Sequence, residues 1–138
     1  MKILILCTGN SCRSQMAHGF LQSYNNNLHV CSAGTEPAGQ VNQTAVKVMA
    51  EVGIEISHHA PKMVNQYQDE EWDYVITVCD HAKETCPVFI GKLKNRLHIG
   101  FEDPSNAIGD EAFVLGEFRR VRDEIKNKFT NFFSSLKI

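Results

Sequence analysis

The sequence predicts a single α/β domain, residues 1–138, in which helices cover both faces of a four-stranded parallel sheet. Four short apolar runs alternate with stretches in which apolar residues recur at helical spacing, as is typical of a parallel sheet covered by helices. The 138 residues are enough to bury one core, and they contain no internal repeat, low-complexity stretch or linker. A second domain is therefore not expected.

The first strand and the first helix enclose the most informative loop of the chain. Residues 3–6 are four consecutive isoleucines and leucines, which suit a strand buried on both faces. A helix follows from Ser14, because apolar residues recur there at i, i+3, i+4 and i+7: Ala17, Phe20, Leu21 and Tyr24. The loop at residues 7–13 must turn sharply, and Gly9 and Asn10 tolerate the backbone conformations of such turns. Since a helix start carries unpaired N–H donors and partial positive charge, the loop predicts an anion site.

The middle of the chain continues the alternation of strands and helices. A second strand is predicted over residues 28–33 and ends before Gly34. A helix over residues 41–52 follows, and Gly53 provides its C-terminal cap. A short helix is expected over residues 61–67, because proline is favoured in the first turn.

The last third of the chain predicts two strands and one long helix. Residues 72–78 are β-branched and apolar, which favours a third strand, and residues 97–101 give the fourth. A final helix is predicted over residues 111–136, with an apolar stripe at helical spacing: Val114, Phe118, Val121, Ile125, Phe129, Phe132 and Leu136. An aromatic stripe of this kind indicates core packing.

Composition argues against several classes of partner. The formal net charge is −2, and no basic block is longer than Arg119-Arg120, so neither nucleic acid nor an anionic membrane is expected to bind. No apolar run approaches the roughly 20 residues of a membrane span, and the apolar start is too short for a signal peptide. These features predict a cytoplasmic protein. In such a reducing compartment, the five cysteines are expected to be catalytic, redox-active or metal-binding.

Two side chains give the anion loop its chemistry. Cys7 opens the loop and Arg13 closes it, so a thiol and a guanidinium can lie on opposite sides of one tetrahedral oxyanion. The planar guanidinium can hold two oxygens at once. Because the donors that bind an anion also stabilise a thiolate, Cys7 is predicted to be a nucleophile aimed at the bound oxyanion.

Metal binding is not predicted. The adjacent His58 and His59 point apart on a helix or strand, and no cysteine or carboxylate nearby completes a ligand set. Cys79 and Cys86 are separated by seven residues, whereas a zinc site needs a closer pair that is repeated or joined by histidines. Cys31 is expected to be a core residue, because free cysteine packs as a small hydrophobe.

The loop also carries a family resemblance. The run Cys-Thr-Gly-Asn-Ser-Cys-Arg, followed by Ser14, resembles the catalytic loop of the low-molecular-weight protein tyrosine phosphatase family, and the longer string through Met16-Ala17 is most similar to its thioredoxin-coupled arsenate reductase branch. The resemblance implies that Cys7 is the nucleophile and that Asp103, in an Asp-Pro pair, is the general acid. It implies that loop residues bind arsenate, with phosphate or sulfate as mimics: Thr8, Gly9, Asn10, Ser11, Cys12, Arg13 and Ser14.

The resemblance further implies a thiol relay. Cys79 and Cys86 match the redox pair of the arsenate reductase branch, so the disulfide would pass from Cys7 to these two residues. Thioredoxin would then be the external reductant, and no tightly bound cofactor or metal is implied. One rigid placement of Cys79 is not expected to serve both disulfides, so a movement is predicted over residues 80–85.

Two alternative functions remain at this point. A phosphatase would need only Cys7, Arg13 and Asp103, but phosphatases of the family usually have tyrosine after the Asp-Pro pair, where this chain has Ser105 and Asn106. A non-catalytic arsenic- or phosphate-binding module would be expected to lack the nucleophile, the arginine or the acid, and all three are present. In addition, His18 stands where many relatives carry a Glu that helps some of them hold a potassium ion.

Overall fold

The computed structural model describes residues 1–80, 84 and 86–136. It contains four strands: β1 (Lys2–Cys7), β2 (His29–Gly34), β3 (Trp72–Thr77) and β4 (Leu93–His98). Its α-helices are α1 (Arg13–Tyr24), α2 (Gln43–Ala50) and α3 (Glu111–Ser135), and two short 3-10 helices span Val64–Tyr67 and Pro104–Asn106.

The strands form one sheet in the order β2-β1-β3-β4, and every neighbouring pair is parallel. This confirms the predicted α/β class and the four-stranded parallel sheet. β1 lies between β2 and β3, and its four isoleucine and leucine side chains are fully buried. Since residues 3–6 alternate between the two faces of the sheet, this run contributes to both halves of the core.

Helices cover both faces of the sheet, as predicted, but within the described part of the chain the second face has only a short 3-10 helix. All three α-helices pack on the face that carries Ile3 and Ile5, and they enclose the larger part of the core. The opposite face carries Leu4 and Leu6, and among the described residues it is covered by the 3-10 helix Val64–Tyr67 together with side chains such as Phe89.

The fourth strand begins earlier than the apolar pattern predicts. The predicted run, residues 97–101, overlaps only the end of β4, whose register begins with Trp72 opposite Leu93. β4 is an edge strand, and its middle residues Lys94, Asn95 and Arg96 are exposed, so it lacks the apolar signal of a buried strand.

The other elements agree with the sequence to within a few residues. Gly53 has φ +80° just beyond α2, which is the conformation of a glycine cap. The predicted helix at 61–67 is a 3-10 helix of four residues. Within the part of the chain that the structure describes, no helix combines the length and apolarity needed to cross a membrane.

Candidate active site

The anion loop lies between the end of β1 and the start of α1. Three of its carbonyl oxygens point outward and accept hydrogen bonds of 2.8–3.0 Å from backbone N–H groups that follow β2: Thr8 from Glu36, Gly9 from Ala38, and Ser11 from Asn42. Because the C=O and N–H of a trans peptide point in opposite directions, the N–H groups of Gly9, Asn10 and Cys12 are directed into the loop. Several backbone donors therefore converge on one concave site, which suits an anion.

Asn10 fixes the conformation of this loop. It is fully buried and has φ +50°, the left-handed conformation that asparagine tolerates better than most residues. Its Nδ2 donates to Ser14 Oγ at 2.8 Å, and its Oδ1 accepts from Lys62 N at 2.9 Å and from Gln15 Nε2 at 3.2 Å. The loop is thus tied both to the first turn of α1 and to the segment before the 3-10 helix Val64–Tyr67.

Gly34 lets β2 approach the loop. A Cβ atom at this position would lie 2.3 Å from the carbonyl oxygen of Thr8 and 3.1 Å from the amide nitrogen of Asn10. Only a glycine permits this contact, since both neighbours are backbone atoms that cannot rotate away. The close approach of β2 and the loop therefore depends on Gly34, the last residue of that strand.

Arg13 is buried at the first position of α1, with 3% of its surface exposed. Its two Nη atoms bind both carboxylate oxygens of Glu84, and Nη2 lies 3.5 Å from Asp103 Oδ2. Burial disfavours the charge, but the Glu84 hydrogen bond and the nearby Cys7 and Asp103 raise the pKa of Arg13 overall. Its buried Nε has no hydrogen-bond partner among the described residues. An oxyanion in the loop would supply one.

A pocket of about 590 Å³ opens over the loop. It brings together four of the five predicted catalytic residues: Cys7, Arg13, Cys86 and Asp103. Residues 8–12 line it as well, whereas Ser14 lies buried beneath the loop as the acceptor from Asn10. Cys79, the fifth predicted catalytic residue, is fully buried and does not line the pocket.

Asp103 is held at the rim of this pocket. It is the N-cap of the 3-10 helix Pro104–Asn106, and its Oδ1 accepts hydrogen bonds from the backbone N–H and the hydroxyl of Ser105, at 3.0 and 2.6 Å. The other oxygen, Oδ2, faces Arg13. One carboxylate oxygen thus fixes the side chain while the second faces the anion site.

Cys79 and Cys86 form a disulfide, with Cα atoms 5.8 Å apart. Cys79 follows β3 and is fully buried, while Cys86 is half-buried and lines the pocket. The segment that the sequence predicts to move, residues 80–85, is described only at Asp80 and Glu84, and its other four residues lie outside the described part of the chain.

The other three cysteines are free thiols. Cys7 and Cys12 are buried in the loop, and burial raises the pKa of Cys12 well above its usual value. Burial also raises the pKa of Cys31, on β2. Both thiols therefore stay protonated at neutral pH, a state that suits packing better than nucleophilic attack.

A histidine cluster lies behind the loop. His18 Nδ1 is 2.9 Å from Ser32 Oγ, and its ring centroid lies 4.5 Å from that of His59, with the two ring planes tilted by 32°. His59 Nδ1 is in turn 2.9 Å from Gln15 Oε1. Burial and the neighbouring imidazoles lower the pKa of His18 to about 3, so this side chain is neutral. Among the described residues, no group of three or more histidine, cysteine, aspartate or glutamate side chains is arranged to hold a metal ion.

Glu84 is the site residue that the sequence analysis did not identify. Its carboxylate binds both Nη atoms of Arg13 and accepts a hydrogen bond from the backbone N–H of Asp80 at 3.1 Å. The one available signal is its position between Cys79 and Cys86 in a loop at the carboxyl edge of the sheet, where functional side chains gather.

Comparison with known proteins matches residues 2–138 to the family described as low molecular weight phosphotyrosine protein phosphatase. The chain is 45% identical over 131 residues to an arsenate reductase of Halalkalibacterium halodurans, covering 94% of this chain and 93% of that relative. A solved arsenate reductase in the phosphate binding state has a TM-score of 0.81 at 30% identity and covers 99% of this chain and 98% of its own. A thioredoxin-dependent arsenate reductase of Corynebacterium glutamicum has a TM-score of 0.66 at 26% identity, covering 97% of this chain and 60% of that one.

Proposed function

Because the chain belongs to the low molecular weight phosphotyrosine protein phosphatase family, with arsenate reductases among its similar relatives, we propose that it reduces arsenate to arsenite with its own cysteines. One observation carries the proposal. The disulfide joins the buried Cys79 to Cys86, and Cys86 lines the same pocket as Cys7, Arg13 and Asp103. A phosphatase needs no such pair, whereas a reductase that draws two electrons from thiols does.

The first step is the formation of an arsenic adduct on Cys7. Arsenate resembles phosphate in charge and shape, so the loop N–H groups and Arg13 bind its oxygens. The Cys7 thiolate attacks arsenic and displaces one oxygen, which leaves as water or hydroxide. Asp103 faces the pocket beside Arg13 and acts as the general acid that protonates this leaving oxygen.

The second step transfers the electrons. The Cys79 thiolate attacks the Cys7 sulfur, the S–As bond breaks, and its electron pair leaves with arsenic, which becomes arsenite. A Cys7–Cys79 disulfide remains. Cys86 then attacks Cys79, releases the Cys7 thiolate and leaves the Cys79–Cys86 disulfide. We propose that thioredoxin reduces this bond, as the name of the Corynebacterium neighbour states for that protein.

Single-turnover chemistry tests the relay. Cys86→Ser should release one arsenite per molecule, accumulate the Cys7–Cys79 disulfide and then stop, while Cys79→Ser should release none. Peptide mapping by mass spectrometry identifies the disulfide, and Cys31→Ser is the matched control because Cys31 lies outside the pocket. Normal multiple turnover of Cys86→Ser with thioredoxin, thioredoxin reductase and NADPH would show that the relay is wrong.

We propose that phosphatase activity is a side reaction at most. None of the described residues that line the pocket is aromatic, and the position after the Asp-Pro pair is Ser105, whose hydroxyl binds Asp103. An aryl phosphate would therefore find the oxyanion site but no ring on which to stack. Arsenate reduction should exceed p-nitrophenyl phosphate hydrolysis in kcat/KM, and the reverse order would favour a phosphatase.

A further inference from the structure

The anion site of this structure already contains a carboxylate. Glu84 binds Arg13 through two parallel hydrogen bonds, one of them 2.9 Å from Nη2 to Oε1. This fork-to-fork arrangement is the one in which an arginine holds two oxygens of a carboxylate or phosphate. The carboxylate also lines the pocket together with Cys7. Glu84 thus uses the donors that the proposed function assigns to arsenate.

The charge on Glu84 is maintained at neutral pH. Partial burial raises the pKa of its carboxyl, but the hydrogen bonds from Arg13 and from the backbone of Asp80 outweigh this effect, and the pKa of Glu84 is lowered overall. The side chain is about a quarter exposed, at 23%. Glu84 is therefore an anion at the edge of the site and can be exchanged for a soluble one without unfolding the core.

Glu84 lies in the short segment that the disulfide closes. Seven residues of extended chain would span roughly 23 Å, yet the Cα atoms of Cys79 and Cys86 are 5.8 Å apart. Between these cysteines, the backbone N–H of Glu84 donates to the carbonyl of Asp80 at 3.0 Å. Cys86 lines the pocket, and in this closed form Glu84, two residues before it, lies on Arg13.

We propose that Glu84 is an internal competitor for the oxyanion, which occupies Arg13 when the Cys79–Cys86 disulfide is closed and yields it when the disulfide is reduced. The inference rests on the proposed function, because it takes the loop to be the substrate site. It adds that substrate binding depends on the redox state of a cysteine pair that does not itself hold the substrate.

Glu84 and a bound oxyanion would compete because both are anions drawn to one guanidinium. Both Nη atoms of Arg13 bind Glu84, Nη1 also donates to the carbonyl oxygen of Phe101 at 3.1 Å, and Nε has no partner among the described residues. A dianion seated against Arg13 would have to displace the carboxylate or accept its repulsion at close range. The oxidised protein should therefore bind oxyanions weakly, and a new oxyanion should bind in the loop only after the Cys79–Cys86 disulfide has been reduced.

Protection of Cys7 by phosphate tests the inference directly. Cys7 is a free thiol in the disulfide form, so iodoacetamide labelling of its peptide, followed by mass spectrometry, reports loop occupancy in both redox states. Inorganic phosphate is titrated against oxidised and reduced full-length protein. Glu84→Gln removes the charge, and Glu84→Ala removes the hydrogen-bonding carboxylate altogether. Glu36→Gln is the matched control, because Glu36 is an exposed carboxylate that lines the same pocket.

Oxidised Glu84→Gln and Glu84→Ala should bind phosphate roughly tenfold or more tightly than the oxidised parent protein, the scale of one charge-assisted hydrogen bond. The reduced forms should differ little, which also shows that the variants are folded. The competition would be overturned if the oxidised Glu84 variants bound phosphate no more tightly than the oxidised parent protein, or if Glu36→Gln gained as much affinity as they do. Either result would leave the proposed function intact. If phosphate fails to protect Cys7 in the reduced parent protein, the oxyanion site is wrong and both proposals fail.

Discussion

Gly34→Ala should damage the anion loop without removing any group that contacts the substrate. The added Cβ would lie 2.3 Å from Thr8 O, whereas real Cβ contacts are essentially never shorter than 3.0 Å, so the two segments must separate by at least 0.7 Å (3.0 − 2.3). Both segments are backbone, and the register that pairs Cys7 with Gly34 limits how far β2 can retreat. The displacement therefore falls on the loop that starts at Cys7.

A shift of this size should lower kcat/KM for arsenate by roughly 10²-fold, because misplacement of about 1 Å costs that much in positioned reactions. Gly39→Ala is the matched control, since nothing lies within 4 Å of the position that its Cβ would occupy. Arsenite release under thioredoxin coupling measures the effect, and urea unfolding separates it from loss of fold. Activity of Gly34→Ala within threefold of the control would refute the argument.

The remaining predictions concern the acid, the unused thiols and a buried histidine. Asp103→Asn should lose about 10²–10⁴-fold in turnover with the fold intact, and a loss of only a few-fold would remove Asp103 as the general acid. Cys12→Ser and Cys31→Ser should each keep substantial arsenate turnover, and abolished turnover in either would give that thiol a role. Burial lowers the pKa of His18 to about 3, so the unfolded chain binds a proton that the folded chain excludes, and the free energy of unfolding should fall as pH drops from 6.5 towards 3. The slope contributed by His18 should reach up to about 1.4 kcal/mol per pH unit, and an identical pH profile for His18→Asn in urea unfolding would contradict it.

The anion loop was predictable because its signals are local. All of them lie within residues 3–24: an apolar strand, an asparagine that tolerates the left-handed conformation, and an apolar stripe at helical spacing. The structure has β1, Asn10 with positive φ, and α1 at these positions. Parallel pairing could also be inferred, since the chain alternates strands with helical stretches. The fourth strand was placed too late because an edge strand with exposed Lys94 and Arg96 gives no apolar pattern to recognise.

The contact between Arg13 and Glu84 could not be read from the sequence. The two residues are 71 positions apart, and a glutamate between polar neighbours has the composition of a solvated loop. In the structure Glu84 lies between the two cysteines of the closed disulfide, and it lines the pocket. Under the proposed competition this contact depends on which cysteines are bonded, and the sequence supports more than one pairing.

The same structure indicates where the proposed relay needs a movement. Cys7 and Val78 both belong to the core cluster on the helical face of the sheet, and the backbone N–H of Val78 continues the ladder by donating to Leu6 O at 3.0 Å. Side chains alternate along a strand, so Cys79, the next residue, is directed to the opposite face from Cys7, and it does not line the pocket. Two cysteines whose Cβ vectors point apart cannot be bridged without backbone movement. The Cys7–Cys79 stage of the relay therefore requires the chain to rotate at the end of β3, and the later transfer to Cys86 would let it return to the position that places Glu84 on Arg13.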